Sequence, residues 1–394
     1  MAPHPQYVPD YRIQINGEDL PSALRASVTS VRFQEGRNAS NRVEVGLANA
    51  NLRWLQKHIK GLGFQPFADK ILAPGPALPG ITADGLFDID NKLTLAMGYV
   101  NQLSDLFEGE ITGVEATFPS EGAPAMTLVA QDYLHRLGDG SYARGFGPLP
   151  DFLIASILSA EHLLIPMIEP TIIGASTAIA AVNYIFGGTG TKQEGESDLD
   201  VLTKIAALYD SEFYVDGSVL YITRFMKEYS PRLTLTWGES LIDFNPKVTT
   251  VGQAFGVGMK FTLREIPLDF LVTVYYDFDR EAVGIVVLPG AAGPAAAGIA
   301  GGPVFEIINR PIGSPADIAN SALVIAHELR TKLNNRLTGS GTCIGNPQIR
   351  AGAMIRLEGL GPDFSGDYRV AHATHSLQSS GYTTSFEVRK ELIP

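Results

Sequence analysis

The residues of this 394-residue chain whose types could do chemistry are few, and their spacing does not bring them together. His327-Glu328 sits within a helical pattern and carries the first half of a zinc-protease motif. That motif needs a second His four residues after the first, and position 331 is Thr. Gly187-Gly-Thr-Gly-Thr-Lys192 resembles a phosphate loop only in its glycines, because the Gly-Lys-Ser/Thr ending is missing. His372, His375 and Asp367 lie close in sequence. On a strand, however, residues three apart point to opposite faces, so the two histidines cannot share one site locally. Asp277, Asp279 and Glu281 alternate as an exposed strand edge would, and lack the pattern of a calcium loop. No Gly-x-Ser-x-Gly elbow occurs, and no carboxylate pair stands out as acid and base. We therefore assign no catalytic, cofactor-binding or metal-ligating residue and expect no enzyme.

Composition points the same way. Hydrophobic residues make up 45% and charged residues 18%, which excludes disorder and suggests surface covered by partner subunits. Forty-one Gly and 25 Pro imply many turns, as in a β-rich protein. A net charge of -12 argues against a phosphate-binding surface for nucleic acid. The single cysteine, Cys343, allows no internal disulfide and no cysteine-based metal site. The N-terminus lacks a basic start followed by an apolar run, so no signal peptide is expected and the chain should fold in a cytoplasm. The length calls for two to four domains.

The elements that must position any site are mostly alternating strands. Tyr11–Ile15 precedes the hairpin signal Asn16-Gly17, and Val28–Gln34 and Asn41–Leu47 follow. A short helix at 51–60 and a long Gly/Pro-rich loop at 62–88 lead to strands at Leu93–Tyr99, Leu106–Phe118 and Met126–Gln131. After a connector at Asp132–Gly147, Pro150 and Asp151 open a helix. Leu163–Phe186 is very apolar, but Pro166, Glu169 and Pro170 interrupt it, so burial is the better reading than a membrane span. Ser197 caps a second helix, with Asp198 and Asp200 in its first turn. A hairpin turning at Asp216-Gly217 closes this middle part. Strands resume at Leu233–Trp237 and continue through Phe255–Phe261 and Phe270–Tyr276. A Gly/Ala/Pro-rich loop at Pro289–Pro303 follows. Ser314-Pro315 starts a helix with the stripe Ile318, Ala322, Leu323, Ala326, Leu329 and Leu333, which Gly339 and Gly341 should end. In the closing sheet, Tyr368, Val370 and His372 should share one face. Tyr382, Thr384, Phe386 and Val388 should share one face of the last strand.

One phrase occurs twice. Phe107-Glu-Gly-Glu-Ile-Thr-Gly-Val-Glu-Ala-Thr117 aligns without gaps on Phe364-Ser-Gly-Asp-Tyr-Arg-Val-Ala-His-Ala-Thr374. Each copy leads into another alternating strand, which suggests two similar β modules. The residues singled out for packing in these strands are Phe107, Gly109, Phe364, Gly366, Tyr368 and Phe386. Gly109 and Gly366 should permit a bulge or a close backbone approach.

Phe364-x-Gly-Asp-Tyr-x-Val with His372, and the closing Tyr382-Thr-Thr-x-Phe-x-Val-Arg389, resemble the phage late control gene D protein family. Members are central baseplate hubs of contractile tails, similar to the N-terminal part of the VgrG spike proteins. Phe107–Val114, Leu128–Leu137 and Gln193–Leu202 are similar to further parts of the family, so the resemblance spans nearly the whole chain.

The resemblance implies a β-rich α+β fold. Two tandem tube-like antiparallel β-barrel domains, at 1–131 and 229–394, would flank a middle α+β domain at 132–228 with an apolar insertion. The second barrel would carry a helix at about 315–337. It also implies a homotrimer that adapts a six-fold inner tube to a three-fold spike, without cofactors. Its partners would be the spike protein, the tube or tube-initiator protein and baseplate wedge proteins. Specific nucleic-acid binding is not expected, nor is membrane contact in the resting state. The chain would be cytoplasmic during assembly and then part of a phage tail or injection particle. VgrG-type proteins continue into a spike, whereas this chain stops at Pro394, so a separate spike protein is expected. The alternatives are a membrane-associated anchor or pore component using residues 163–186 and a tail-associated cell-wall hydrolase.

Overall fold

The alternating segments assemble into one sheet of 13 strands. The computed structural model describes residues 8–48, 85–185, 190–225, 228–249, 256–263, 269–277, 282–289, 307–312, 325 and 327–391. The expected helix at 51–60, most of the 62–88 loop, most of the 289–303 loop and the helix start at Ser314-Pro315 lie outside these residues. So do residues 187–189, Asp279 and Glu281.

Six strands form a first unit: Pro9–Ile15, Val28–Gly36, Arg42–Ala48, Lys92–Tyr99, Gln102–Thr117 and Ala125–Gln131. Six form a second: Thr234–Thr236, Leu241–Val248, Leu337–Ile344, Met354–Glu358, Gly366–Gln378 and Gly381–Arg389. Counted in chain order within its unit, each set takes the same spatial order, 2-3-6-5-4-1. The first strand runs antiparallel to the fourth in one unit and parallel to it in the other. The repeated phrase falls on the fifth strand of both units, Gln102–Thr117 and Gly366–Gln378. Both strands carry a bulge, between Ile111 and Gly113 and between Val370 and His372. The likeness ends at the first residue of the phrase. Phe107 is in its strand, whereas Phe364 lies in a one-turn helix, Gly361–Phe364, ahead of the other.

Three apolar cores result. The first unit packs Phe33, Val43, Leu95, Phe107 and Ile111 together, and Tyr382 of the second unit reaches into this core. Leu235, Ile355, Tyr368, Phe386 and Val388 centre the second unit's core. Between the two units in sequence, helices Asp151–Glu161, Pro170–Ile185 and Asp198–Leu208 pack on a three-stranded sheet of Ile165–Ile168, Ser211–Asp216 and Val219–Arg224. Ser197 is the N-cap, as the sequence suggests, and it also forms a full capping box with Asp200. The apolar stretch after Leu163 divides into a short strand and the 16-residue helix Pro170–Ile185. No described helix is long and apolar enough to cross a membrane.

Several expectations are corrected. The 132–147 connector contains a 3-10 helix, Tyr133–Gly138, and a strand, Tyr142–Gly145, which pairs with Lys192–Glu196. Gly256–Leu263, Asp269–Asp277, Ala282–Pro289 and Ile307–Ile312 form a four-stranded sheet of their own rather than extending the second unit. Gly339 and Gly341 do not end a helix. They lie inside strand Leu337–Ile344, where a Cβ would come within 2.5 Å of the Phe244 ring and 3.0 Å of the Phe386 ring respectively. The bulge after Val370 turns His372 out to solvent and brings Ala373 and His375 inward, so His372 does not share a face with Tyr368 and Val370. A regular period of two cannot anticipate that shift.

Gly109 does permit a close approach, because a Cβ there would sit 2.1 Å from the Gln131 carbonyl oxygen. Gly366 serves differently. Its φ of +140° excludes other residues, while a Cβ would meet only the end of the Lys390 side chain. Gly109→Ala should therefore destabilise by about 1–3 kcal/mol, since two backbones must part. Gly113→Ala, where a Cβ meets only Val129 at 3.8 Å, should stay within about 0.5 kcal/mol. Urea midpoints of the two variants check this, and equal losses would contradict it.

Candidate functional site, the junction between the cores

The two β units are joined edge to edge. Strand Val28–Gly36 pairs antiparallel with Gly366–Gln378, from His372 opposite Gly36 to Gln378 opposite Ser30. Gly36 makes this possible at its end, because a Cβ there would lie 2.7 Å from His372 Nδ1.

His375 is fully buried at this seam and stacks on Phe33 of the first unit, with ring centroids 5.9 Å apart. Its Nε2 lies 3.0 Å from the Ile349 carbonyl oxygen, which can only accept, so the proton belongs on Nε2. Nδ1 then accepts from the Tyr382 hydroxyl at 2.8 Å and the Thr384 hydroxyl at 3.1 Å. Burial, aided by the Arg350 guanidinium, pulls the His375 pKa down to about 4. It is a neutral structural histidine, away from His372 and Asp367.

Glu35 supplies a second clasp across the seam. Its carboxylate accepts two bonds of 2.9 Å from Arg350 Nε and one of 2.7 Å from the Ala351 amide. Arg350 also donates to the Leu106 carbonyl at 3.1 Å. Tyr99 of the first unit donates to the Gly345 carbonyl of the second at 2.8 Å.

The middle unit enters through the turn after Val28–Gly36. Asn38, at φ 59°, exchanges bonds with Phe213. Its amide donates to the Phe213 carbonyl at 3.0 Å, and its side chain accepts from the Phe213 amide at 2.8 Å. Asp132 holds the same turn. It accepts from the Ser40 hydroxyl at 2.8 Å and the Asn41 amide at 3.0 Å while capping the 3-10 helix at Leu134. Burial pushes its carboxyl up to about 6 despite those bonds.

Behind the seam lies a buried ionic cluster. Arg369, with only 3% of its side chain exposed, donates to Glu212 of the middle unit. Arg330, on the helix at 327–334, donates to Asp210, which also accepts from His327 at 2.8 Å. Arg37 lies 3.8 Å from Glu212 and 3.7 Å from the centre of the Tyr214 ring. Glu391, 1% exposed, is 4.0 Å from Arg369 and 3.5 Å from Arg389. The Phe225 ring receives three guanidinium groups, Arg330 at 3.6 Å, Arg369 at 4.4 Å and Arg389 at 5.8 Å. A cavity of ≈ 330 Å³ sits among these side chains. Among the described residues no three His, Cys, Asp or Glu side chains gather as a metal site would require.

This architecture is shared with known proteins. A prophage MuSo2 43 kDa tail protein from Shewanella oneidensis superposes with a TM-score of 0.60 at 11% identity. The match covers 96% of this chain and 98% of that one. A tail protein from Neisseria meningitidis MC58 gives 0.58 at 10% identity, covering 98% and 97%. The chain has their fold. No family model matches the sequence, and no curated protein does.

Of the residues singled out for packing, Phe107, Tyr368 and Phe386 are buried as expected. Tyr368 donates to the Phe364 carbonyl at 2.7 Å, while Phe364 itself is only partly buried. The sequence reading missed the cluster of Arg37, Glu212, Arg330, Arg369 and Glu391. Its one available signal is Arg369 itself, a cation among residues that all turn inward at Tyr368–Val370.

Glu212→Ala would remove the one carboxylate hydrogen-bonded to Arg369 among the described residues, leaving Glu391 at 4.0 Å, and should cost about 3–5 kcal/mol. Losing less than about 1 kcal/mol in a denaturant titration would contradict a junction of this kind. His375 gives a pH signature. A depressed histidine pKa means the unfolded state binds more protons, so stability is lost as pH falls from 6.5 toward about 4. The loss attributable to it is about 3 kcal/mol across that window. Asp132 acts oppositely, its contribution fading as pH rises through about 6, so the variant difference is the clean readout. His375→Gln should be less stable at pH 7 and should close the gap to wild type as pH falls to about 4. A gap constant with pH would contradict a neutral buried His375.

Proposed function

We propose that this chain is the structural central hub of the baseplate of a contractile injection machine. Three copies would adapt a six-fold inner tube to a three-fold spike. The observation that carries this reading is the repeated unit. One chain holds two six-stranded units of the same strand order, so three chains present six similar units. The two similar folds are those of tail proteins, which fits the same role.

In this reading residues 1–131 and 229–394 are tube-like barrel domains, and 132–228 is the domain between them. The sheet's terminal strands, Pro9–Ile15 with its two-residue partner at one end and Leu241–Val248 at the other, favour head-to-tail closure of a ring. Exposed apolar side chains on the middle unit, including Leu163 at 79% and Tyr184 at 76%, suit burial against neighbours. The protein acts by shape and not by catalysis. Its partners are the spike protein, the tube or tube-initiator protein and wedge proteins, and its place is the cytoplasm during assembly and the particle afterwards.

The mass in solution tests this. A species near three times 42.3 kDa, alone or on adding the neighbouring spike protein, is expected. A monomer under both conditions would overturn it.

A further inference from the structure

The cavity behind the seam has the makings of a ligand site that the assembly role does not use. Arg37, His327, Arg330, Arg369, His372 and Arg389 line it, with Glu212 as the lining carboxylate. Around the cavity four guanidinium groups, Arg37, Arg330, Arg369 and Arg389, meet three carboxylates, Asp210, Glu212 and Glu391. Among the described residues, four against three leaves one positive charge. The nearby Glu35 does not offset it, because that carboxylate is bound to Arg350 and the Ala351 amide.

Hydrogen bonding leaves a like remainder among the described residues. Nε of Arg37, Arg369 and Arg389 are buried without a hydrogen-bond partner, three donors against the two carboxylate oxygens of Glu391, which are buried and unpartnered too. Arg369 is the decisive one, since its side chain is 3% exposed, it lines the cavity, and an unmet N–H there is costly. Phe225 holds three of the guanidinium groups in place from one side, so the cluster is fixed before any ligand arrives. Guanidinium groups present planar forks of donors that match tetrahedral oxyanions. A cavity of ≈ 330 Å³ has room for one such ion with water around it.

We propose that this cavity binds one free tetrahedral oxyanion of the inorganic phosphate or sulfate class, held by Arg37, Arg369 and Arg389. The ion tightens the contact between the first and second β units, from which these arginines come. The inference stands apart from the hub reading and does not need a trimer.

The experiment is calorimetric titration of the full chain with inorganic phosphate, with ionic strength held constant by sodium chloride. One saturable site per chain is expected, with sulfate competing and chloride not. Phosphate should also raise the melting temperature where the same ionic strength of chloride does not. Arg389→Gln should weaken phosphate binding by about tenfold or more. Arg356→Gln, which removes only an exposed pair with Asp367, should leave it unchanged. No saturable heat, or a thermal response that chloride matches, would overturn the proposal. So would a site whose affinity is untouched by both Arg389→Gln and Arg37→Gln. If the Arg389 and Arg37 variants do not fold, competition by sulfate but not chloride on the wild type decides.

Discussion

The structure depends on a charge that cannot stand alone. Arg369 is drawn inward on a strand of the second β unit, and burial without an ion partner would cost more than its packing returns. Its partner, Glu212, belongs to the middle unit, and Arg37 of the first unit shares that carboxylate. The cluster around Glu212 thus draws on all three units. The seam between Val28–Gly36 and Gly366–Gln378 then merges two sheets into one, and His375, Glu35 and Tyr99 fasten its two sides. Apolar packing crosses the seam as well, since Tyr382 of the second unit lies in the first unit's core. A buried ionic junction adds orientation, since its hydrogen bonds form in one relative placement of the units.

That constraint bears on what the molecule can do. Two units of like topology are continuous through one sheet. The glycines work to the same end. Gly36, Gly109, Gly339 and Gly341 each sit where a side chain would push apart neighbouring backbones or rings. Such positions trade conformational entropy for close approach.

Much of the fold was legible in the sequence because local patterns and tertiary structure agree. Alternation placed most strands of both β units, Asn16-Gly17 and Asp216-Gly217 placed hairpins, and Ser197 placed a cap. The repeated phrase at Phe107 and Phe364 landed on the same strand of each unit. What failed did so where the pattern is broken by geometry that a period cannot express. The bulge after Val370 reversed the facing of His372, and Gly339 and Gly341 looked like helix stops when they were making room for aromatic rings. The separate sheet at 256–312 has the same alternation as its neighbours, so only pairing could set it apart. The ionic cluster was invisible because its members are spread from Arg37 to Glu391, and only Arg369 breaks a buried run locally.

Native-state hydrogen exchange on the intact chain tests the central claim most directly. If the seam and its ionic junction make one structure of three cores, amides of 30–36 and 372–378 will exchange only through global opening. Their opening free energies will then match those of the slowest amides in both β cores, including Val43–Val45 and Phe386–Val388. Seam amides that exchange well ahead of both cores would mean that the units part independently, and the account would be wrong.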